Sequence, residues 1–500
     1  MPNQPRPVRP VLCCLSLLIL LLAVPVQAAL LEDAVHESVF DNGLRLLMVE
    51  RHASPTVTAY ITFGVGAVDE SSRQRGVAHL LEHMLFKGTK TLGTTDYAQE
   101  KEVLQQIEQV GERLDRLRRD DEADPEDVRR LEAELDKLQQ RHKTFVVKDE
   151  FSRIYSENGG VGYNAFTSKD LTTYTISLPA NKLELWAAIE SDRLQNAVLR
   201  EFYTEREVVR EERRRSYDSN PRGMLYERLL ATAFTVHPYR NPIIGWDSDI
   251  ASLSLDETRR FFHKYYAPAN MVIALVGDID PTSAEQLVRR YFGGVPSGSP
   301  VPPVIAEEPK QRAEKRVRIY FDAEEQLAIA YHKPTLPHRD DYVFDMIDQI
   351  LSQGRTSRLY RSLVVEKQLA ASVGTYMAPG SREPNLFVVS ATPRHPHTAA
   401  EVEKAIEKEL QRLASDPVSE EELEKARVQL RTAQLRRLKS NSTLARMLTY
   451  YQVVAEDWRY MVEYDRNIAT VTAEEIMAVA RRYFTAENRT VAVIGRKDSR

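Results

Sequence analysis

The chain has 500 residues, of which 42% are hydrophobic and 28% are charged. This is too apolar for a disordered chain and too long for one ordinary hydrophobic core. The 68 basic and 73 acidic residues leave a formal net charge of -5, so no surplus of positive charge is available to neutralise a phosphate backbone. We therefore expect two or more packed domains and no nucleic-acid partner.

The first 28 residues have the pattern of a secretory signal. Arg6 and Arg9 precede an apolar run from Val11 to Val24, and Val26-Gln27-Ala28 follows as a small-residue cleavage site. Both cysteines of the chain lie in this run, so the mature protein has none. An uncleaved signal anchor is the alternative, although Pro25 and the short run favour cleavage. We expect export to the periplasm, with membrane attachment only if the segment is kept.

A long internal match relates residues 251–277 to residues 469–495 without a gap. Each copy has a hydroxyl N-cap (Ser254 or Thr472), an acidic first turn, a helix, an asparagine in the turn and an apolar strand that ends at glycine. Chance similarity is possible because helix-then-strand units are common. The equal spacing of these features favours duplication.

The Pro/Gly-rich stretch from Gly293 to Pro303 separates the two copies and cannot continue a helix or a central strand. We predict a first domain at residues 29–294, a linker at 295–312 and a second, homologous domain at 313–500. Each half opens with strands, continues with helices and closes with a strand. The predicted class is α+β, with two homologous α/β-sandwich domains in which helices pack on antiparallel sheets.

A charged segment from Glu102 to Lys143 interrupts the first half. Apolar residues step through it by three and four: Val103, Ile107, Val110, Leu114, Leu117, Val128, Leu131, Leu135 and Leu138. Asp124-Pro125 is typical of the start of a second helix. We predict an inserted antiparallel helical hairpin, at about residues 101–143, that stands off the domain. A solvated charged linker is the alternative, but the regular apolar stripe argues against disorder.

The motif His79-Leu80-Leu81-Glu82-His83 lies in an apolar stretch of helical period. Histidines four residues apart lie on one helical face, so both imidazoles can reach one metal ion. Glu82 lies on a neighbouring part of that face, where a carboxylate can take a proton from water activated by the metal. Two surface histidines without a ligand are the alternative interpretation.

A catalytic zinc site needs a third protein ligand, and a charged helical stretch from Glu201 to Arg213 offers several acids. Glu205 and Glu212 are seven residues apart on one face, whereas Glu207 and Glu211 point elsewhere. Spacing alone does not choose the ligand, and a solvated ion-pair helix would have the same composition.

These motifs together resemble the insulinase/pitrilysin family of zinc peptidases, in particular the zinc-bearing half of its two-subunit, processing-peptidase-like members. The resemblance covers essentially the whole mature chain. The matching segments are the inverted HxxEH motif, Glu205-Arg-Glu-Val-Val-Arg-Glu-Glu212, Asn158-Gly-Gly-Val-Gly-Tyr-Asn-Ala-Phe-Thr167, His237-Pro-Tyr239 and Ile244-Gly245.

The resemblance implies a role for each site residue. His79, His83 and Glu212 would bind one zinc ion per chain, Glu82 would act as general base, and Glu205 would be the auxiliary acid. It also implies that the first domain is the zinc peptidase domain and the second is non-catalytic. The third ligand follows the histidines at a longer distance than is usual in the family, and the inserted hairpin accounts for the difference.

The segment Asn164-Ala165-Phe166-Thr167 alternates like an edge strand. An exposed sheet edge can bind an extended peptide through its backbone. The resemblance implies that Asn164 and Ala165 contact substrate in this way, and we include Phe166 and Thr167 in the predicted substrate-binding strand. A purely structural strand is the alternative.

Active members of the family usually supply an arginine and a tyrosine from the non-zinc half, where they could stabilise an oxyanion. This chain has Val364 and Ala371 at those positions. We therefore predict a heterodimer in which a zinc-free homologous subunit contributes both groups. The alternative is that Arg358 and Tyr360 of this chain take the place of the missing arginine and tyrosine.

The sequence thus predicts a zinc-dependent endopeptidase that hydrolyses peptides or unfolded polypeptides inside a clamshell chamber. The alternative is a non-catalytic scaffold or assembly subunit with the same fold.

Overall fold

The computed structural model describes residues 31–497. The predicted signal segment and both cysteines lie outside this range. Two sheets organise the described chain, one in each half. The first half contains the strands β1 (Val35–Val39), β2 (Arg45–Glu50), β3 (Thr56–Phe63), β4 (Val161–Thr167), β5 (Thr172–Pro179) and β6 (Met271–Gly277). The second contains β7 (Lys315–Tyr320), β8 (Gln326–Lys333), β9 (Ala370–Ala378), β10 (Asn385–Pro393) and β11 (Arg489–Gly495).

Helices cover these sheets in both halves. The first half carries α1 (Val77–Met84), α2 (Tyr97–Leu117), α3 (Pro125–Lys143), α4 (Glu150–Glu157), α5 (Leu183–Asn196), α6 (Phe202–Arg213), α7 (Pro221–Ala233), α8 (Asp247–Ser252), α9 (Leu255–Tyr265) and α10 (Pro281–Phe292). The second carries α11 (Arg339–Ser352), α12 (Ala399–Ser415), α13 (Glu420–Lys439), α14 (Asn441–Val454), α15 (Tyr460–Ala469) and α16 (Ala473–Tyr483). The α+β class is therefore confirmed.

The strand orders show that the two sheets are copies of one plan. The first sheet has the order β1-β2-β6-β3-β5-β4 and the second β7-β11-β8-β10-β9. Apart from β1, each strand of the first sheet has a counterpart in the second. The closing strand of each half pairs in parallel with the first strand that the two sheets have in common (β6 with β2, β11 with β7). All other pairings are antiparallel, as expected for the predicted class.

The repeated closing segment keeps its local hydrogen bonds. Ser254 and Thr472 each form a capping box with a glutamate three residues later, at the starts of α9 and α16. Asn270 Nδ2 donates to Tyr265 O over 2.9 Å, and the equivalent asparagine in the second copy donates to Tyr483 O over the same distance. A side-chain amide thus closes the turn before the last strand in both halves.

The two halves pack by exchanging helices. α7 of the first half covers the second sheet with Leu225, Leu229, Leu230 and Ala233. In return, α14 of the second half covers the first sheet with Leu444, Ala445, Met447 and Leu448. The predicted linker, residues 295–312, lies between α10 and β7. The first half is consequently braced by side chains of the second.

The hairpin is present, with bounds slightly wider than predicted. Asp124 caps α3 by accepting a hydrogen bond from Glu126 N at 2.9 Å, and Pro125 is the first helical residue. The expectation that the hairpin stands off the domain is wrong. Its apolar stripe joins the core of the first half through Val103, Ile107, Leu114, Leu131 and Leu135. Joining this core buries more apolar surface than pairing the two helices alone would, which favours the packed position.

Candidate metal centre

The helix α1 presents both motif histidines. Its N-terminus begins after Gly76, which adopts a φ of 94° that favours glycine. The buried carboxylate of Glu70 accepts hydrogen bonds from Gly76 N at 2.8 Å and Ala78 N at 2.9 Å, so it satisfies two orphan donors of the first turn. The inner face of the helix is fixed by Val77, Leu80, Leu81 and Met84, all fully buried. The side chains of His79 and His83 are left partly accessible on the opposite side.

The helix α6 brings two acids to these histidines. Glu212 Oε1 lies 3.7 Å from His79 Nε2, and its Oε2 lies 3.5 Å from His83 Nε2. Glu205, two turns earlier, places Oε2 3.4 Å from His83 Nδ1. Spacing had left the choice among the acids open, and the structure brings Glu212 to both imidazoles.

Two other acids of this stretch, Glu207 and Glu211, form ion pairs away from the histidines. Glu207 pairs with Arg210 over 3.0 Å, and Glu211 pairs with Arg214. They form the solvated ion-pair face that such a composition also predicts.

The three candidate ligands fit a zinc ion. Their ligand atoms all lie within 4.8 Å of one another. Two ligand atoms bound at zinc–nitrogen and zinc–oxygen distances in tetrahedral geometry lie about 3.3 Å apart, which is close to the separations between Glu212 and the two rings. Within residues 31–497, one group of three histidine, cysteine or acidic side chains has its ligand atoms this close together: His79, His83 and Glu212.

The electrostatics of the site also favour a cation. Burial and the neighbouring His83 lower the pKa of His79 to about 3, so this ring stays neutral, as a metal ligand must be. Burial lowers the pKa of His83, but the hydrogen bond with Glu205 and the charges of Glu212 and Glu82 outweigh it and raise that pKa. A positive charge at this ring is thus stabilised by three carboxylates.

Glu82 lies on the same helix and is held by the end of strand β4. Thr167 Oγ1 donates a hydrogen bond to Glu82 Oε2 over 2.6 Å. Burial raises the pKa of Glu82, and the bond from Thr167 partly opposes this. Thr167 was included in the predicted substrate strand, and the structure places its hydroxyl on the motif carboxylate.

Strand β4 is an edge strand, with β5 as its sheet neighbour. Asn164 and Phe166 are exposed, whereas Ala165 is buried and faces the core. The pairing with β5 is irregular between Val161 and Asn164. This edge borders a cavity of about 670 Å³ that Glu82, His83 and Asn164 also line. The predicted strand, base and histidine therefore share one open space.

Lys87 is a residue of the site that the sequence interpretation missed. Its Nζ pairs with Glu205 Oε1 and lies 3.3 Å from Glu201 Oε2. Burial raises the pKa of Glu205, but the hydrogen bonds from His83 and Lys87 outweigh it and lower that pKa. Lys87 follows His83 by four residues, the same step that separates the two histidines, and this spacing was the available signal.

The positions expected to carry an arginine and a tyrosine lie in the second half. Val364 is partly buried in a π-helical segment, Tyr360–Glu366, and Ala371 is exposed on β9. Arg358, the suggested substitute, is held by Glu422 through bonds of 2.9 and 2.8 Å. That ion pair ties its guanidinium to α13 of its own half.

The repeated halves, with a two-histidine, one-carboxylate site in the first, define the class of zinc-peptidase folds with an inverted HxxEH motif. The family profile described as Insulinase (Peptidase family M16) matches residues 45–117 and 141–247. The profile described as Peptidase M16 inactive domain matches residues 252–430. The chain belongs to the insulinase family of peptidases, M16. Residues 118–140, which the first match omits, contain the hairpin turn and most of α3.

Relatives of similar length carry protease names. The chain is 27% identical over 458 residues to the zinc protease PqqE of Helicobacter pylori, covering 90% of each protein. It is 22% identical to the uncharacterized zinc protease YmxG of Bacillus subtilis, covering 89% of this chain and 95% of that protein. The crystal structure of a protease from Helicobacter pylori superimposes with a TM-score of 0.77 at 25% identity, over 92% of this chain and 99% of that one.

Proposed function

We propose that this protein is a zinc-dependent endopeptidase. The observation that carries the proposal is the convergence of His79, His83 and Glu212 beside Glu82, at separations that suit one tetrahedral ion. His79, His83 and Glu212 would hold the zinc ion, which would act as a Lewis acid that polarises a carbonyl and acidifies water. Family membership and the names of the relatives support the same class of chemistry.

The residues around the proposed ligands transfer the proton and orient the reacting side chains. Glu82 accepts a proton from the attacking water and returns it to the leaving amine, and the Thr167 hydroxyl holds this carboxylate in one orientation. Glu205 contacts Nδ1 of His83 and is itself held by Lys87, so the ring is oriented with Nε2 towards Glu212.

The substrate is an extended peptide that adds to the free edge of β4. Backbone hydrogen bonds along residues 164–167 would bind any chain able to become a strand, so unfolded polypeptides and peptides are the proposed substrate class. Asn164 and Glu82 line the same cavity, which supports a position of the scissile bond near the base.

Two further elements of the proposal concern assembly and location. Val364 and Ala371 cannot stabilise an oxyanion, so a zinc-free homologous subunit is proposed to complete a clamshell around the substrate. The N-terminal signal pattern supports export to the periplasm. Within residues 31–497, the helices are too short or too polar to span a bilayer.

Metal analysis combined with one isosteric substitution tests the function. The purified protein should contain about one zinc per chain, and His83→Ala should lose it. Glu82→Gln should keep the zinc and lose peptide cleavage by at least about a thousandfold, because the amide cannot accept the proton. Retained cleavage by Glu82→Gln would exclude this carboxylate as the base. Absence of zinc from the unmodified protein would favour the scaffold alternative.

A further inference from the structure

The hairpin contacts the metal-ligand helix α6 and the residues just before it through two buried ion-pair networks. The first is centred on Arg200, two residues before α6, whose side chain is fully buried. Arg200 Nε and Nη2 bind the two oxygens of Glu100 in α2 at 2.6 and 2.9 Å. His142 Nε2 in α3 lies 2.8 Å from the same carboxylate. Both hairpin helices therefore meet at the start of the ligand helix.

Arg200 also reaches the chain that follows the histidine helix α1. Its guanidinium donates to Lys87 O at 3.3 Å and to Thr89 O at 2.5 Å. The next residue, Glu201, adopts a φ of 59°, a left-handed conformation that a glutamate keeps only where its surroundings fix it. One buried arginine thus connects the hairpin, the end of the α1 segment and the first turn of α6.

The second network lies one helical turn into α6. Arg206 binds Asp115 of α2 through two parallel bonds of 2.8 and 2.9 Å and donates to Leu253 O at 2.9 Å. Both side chains of the pair are almost completely buried. Arg206 directly follows Glu205 and precedes Glu212 by six residues, so the hairpin is attached between the two acids of the site.

The two helices approach closely at Gly111. Gly111 of α2 lies against the ring of Tyr203, the second residue of α6. A Cβ at Gly111 would stand 2.1 Å from Tyr203 Cζ and 2.4 Å from its hydroxyl. Glycine in a helix interior lowers helix stability, but at Gly111 it allows the two helices to approach this closely.

We infer that the hairpin is a positioning element of the metal site, in which Arg200 and Arg206 hold α6 so that Glu212 meets the two histidines. This inference depends on the proposed metal site. A buried arginine–carboxylate pair with two hydrogen bonds fixes the relative orientation of the two side chains as well as their distance. A displacement of a metal ligand by even about 0.5 Å weakens the metal site. Arg206 within α6 and Arg200 just before it are both hydrogen-bonded to the hairpin, so the register of α6 over α1 depends on the hairpin.

Cobalt substitution tests the inference, because the visible absorption of bound Co²⁺ reports ligand geometry independently of turnover. Arg206→Lys and Asp115→Asn are each expected to weaken Co²⁺ binding at least about tenfold and to change the absorption of the bound ion. The matched control is Arg339→Lys, since Arg339 also holds a carboxylate, Glu475, through bonds of 3.0 and 2.9 Å, but in the second half. The control is expected to keep the affinity and spectrum of the unmodified protein.

A steric variant keeps the inference testable if the charge variants fail to fold. Gly111→Ala leaves every charge in place and improves helix propensity, yet its Cβ would overlap the ring of Tyr203, so the ring or α2 must shift. It should weaken Co²⁺ binding in the same direction, and Gly111→Ala combined with Tyr203→Leu should restore it. If these variants and Arg206→Lys lower only the melting temperature and bind Co²⁺ as the unmodified chain does, the inference is wrong and the proposed function stands. If the unmodified chain binds no Co²⁺ or Zn²⁺, both are wrong.

Discussion

Thr167 Oγ1 donates a 2.6 Å hydrogen bond to Glu82 Oε2, which joins the end of the exposed strand β4 to the helix that carries both motif histidines. This one contact therefore fixes the position of the Glu82 carboxylate relative to strand β4. A peptide added to β4 would reach the carboxylate at a defined position along its backbone.

Replacing Thr167 with valine should reduce turnover without removing the metal. Valine matches threonine in shape but cannot donate, and a hydrogen bond to a charged group is worth about 1.5–3 kcal/mol. We expect kcat to fall about 10- to 100-fold, with unchanged zinc content. Thr167→Ser keeps the hydroxyl and should retain most of the activity. Equal activity of the valine and serine variants would show that this bond does not orient the base.

Replacing Lys87 with methionine should weaken metal binding. The substitution leaves Glu205 without its cationic partner, so His83 loses the fixed carboxylate beside Nδ1. Supporting contacts of this kind typically contribute 10- to 100-fold to metal affinity. Competition with a zinc chelator should show a loss of about tenfold. Lys90→Met is the control, because Lys90 is exposed and bonds only to Asn196 among the contacts found for its side chain.

The stability of the protein should depend on Glu100 at acid pH. Burial raises the pKa of Glu100, but the bonds to His142 and Arg200 outweigh it and lower the pKa from an ordinary 4.5 to about 2. A lowered pKa stabilises the folded protein above pH 4.5, and this contribution is lost as the pH falls towards 2. It amounts to about 3 kcal/mol.

Urea unfolding between pH 5 and pH 2.5 measures this dependence. The free energy of unfolding should fall less steeply for Glu100→Gln than for the unmodified protein. Glu132→Gln is the control on the same hairpin, because the Glu132 pair with Arg118 is exposed and such pairs contribute little. Parallel curves for Glu100→Gln and the unmodified chain would contradict the expectation.

The chain alone should be a poor peptidase. We expect an arginine and a tyrosine at the positions of Val364 and Ala371 from the family resemblance, and neither of these two side chains can stabilise an oxyanion, so transition-state stabilisation should be incomplete. Adding a co-encoded zinc-free homologue should raise kcat at least about a hundredfold, and the two chains should elute together in size-exclusion chromatography. Full activity of the isolated chain would show that no partner is needed.

Local patterns in the sequence determined the helix of the HxxEH motif, the start of the second hairpin helix at Asp124-Pro125 and the repeat of capping residues at Ser254 and Thr472. Each of these depends on neighbours within about one or two helical turns. Their side-chain spacing and backbone donors are fixed by the chain itself, so the structure agrees with what the residues predict.

Only the tertiary structure decided which acid meets the histidines, what orients Glu82 and where the hairpin lies. Glu207 and Glu212 lie on different sides of α6, and the packing of α6 against α1 decides which side faces the histidines. Thr167 and Glu82 are 85 residues apart, and Arg200 and Glu100 are 100 apart. Contacts between such distant segments depend on how whole elements bury their surfaces together, which spacing along one chain does not specify.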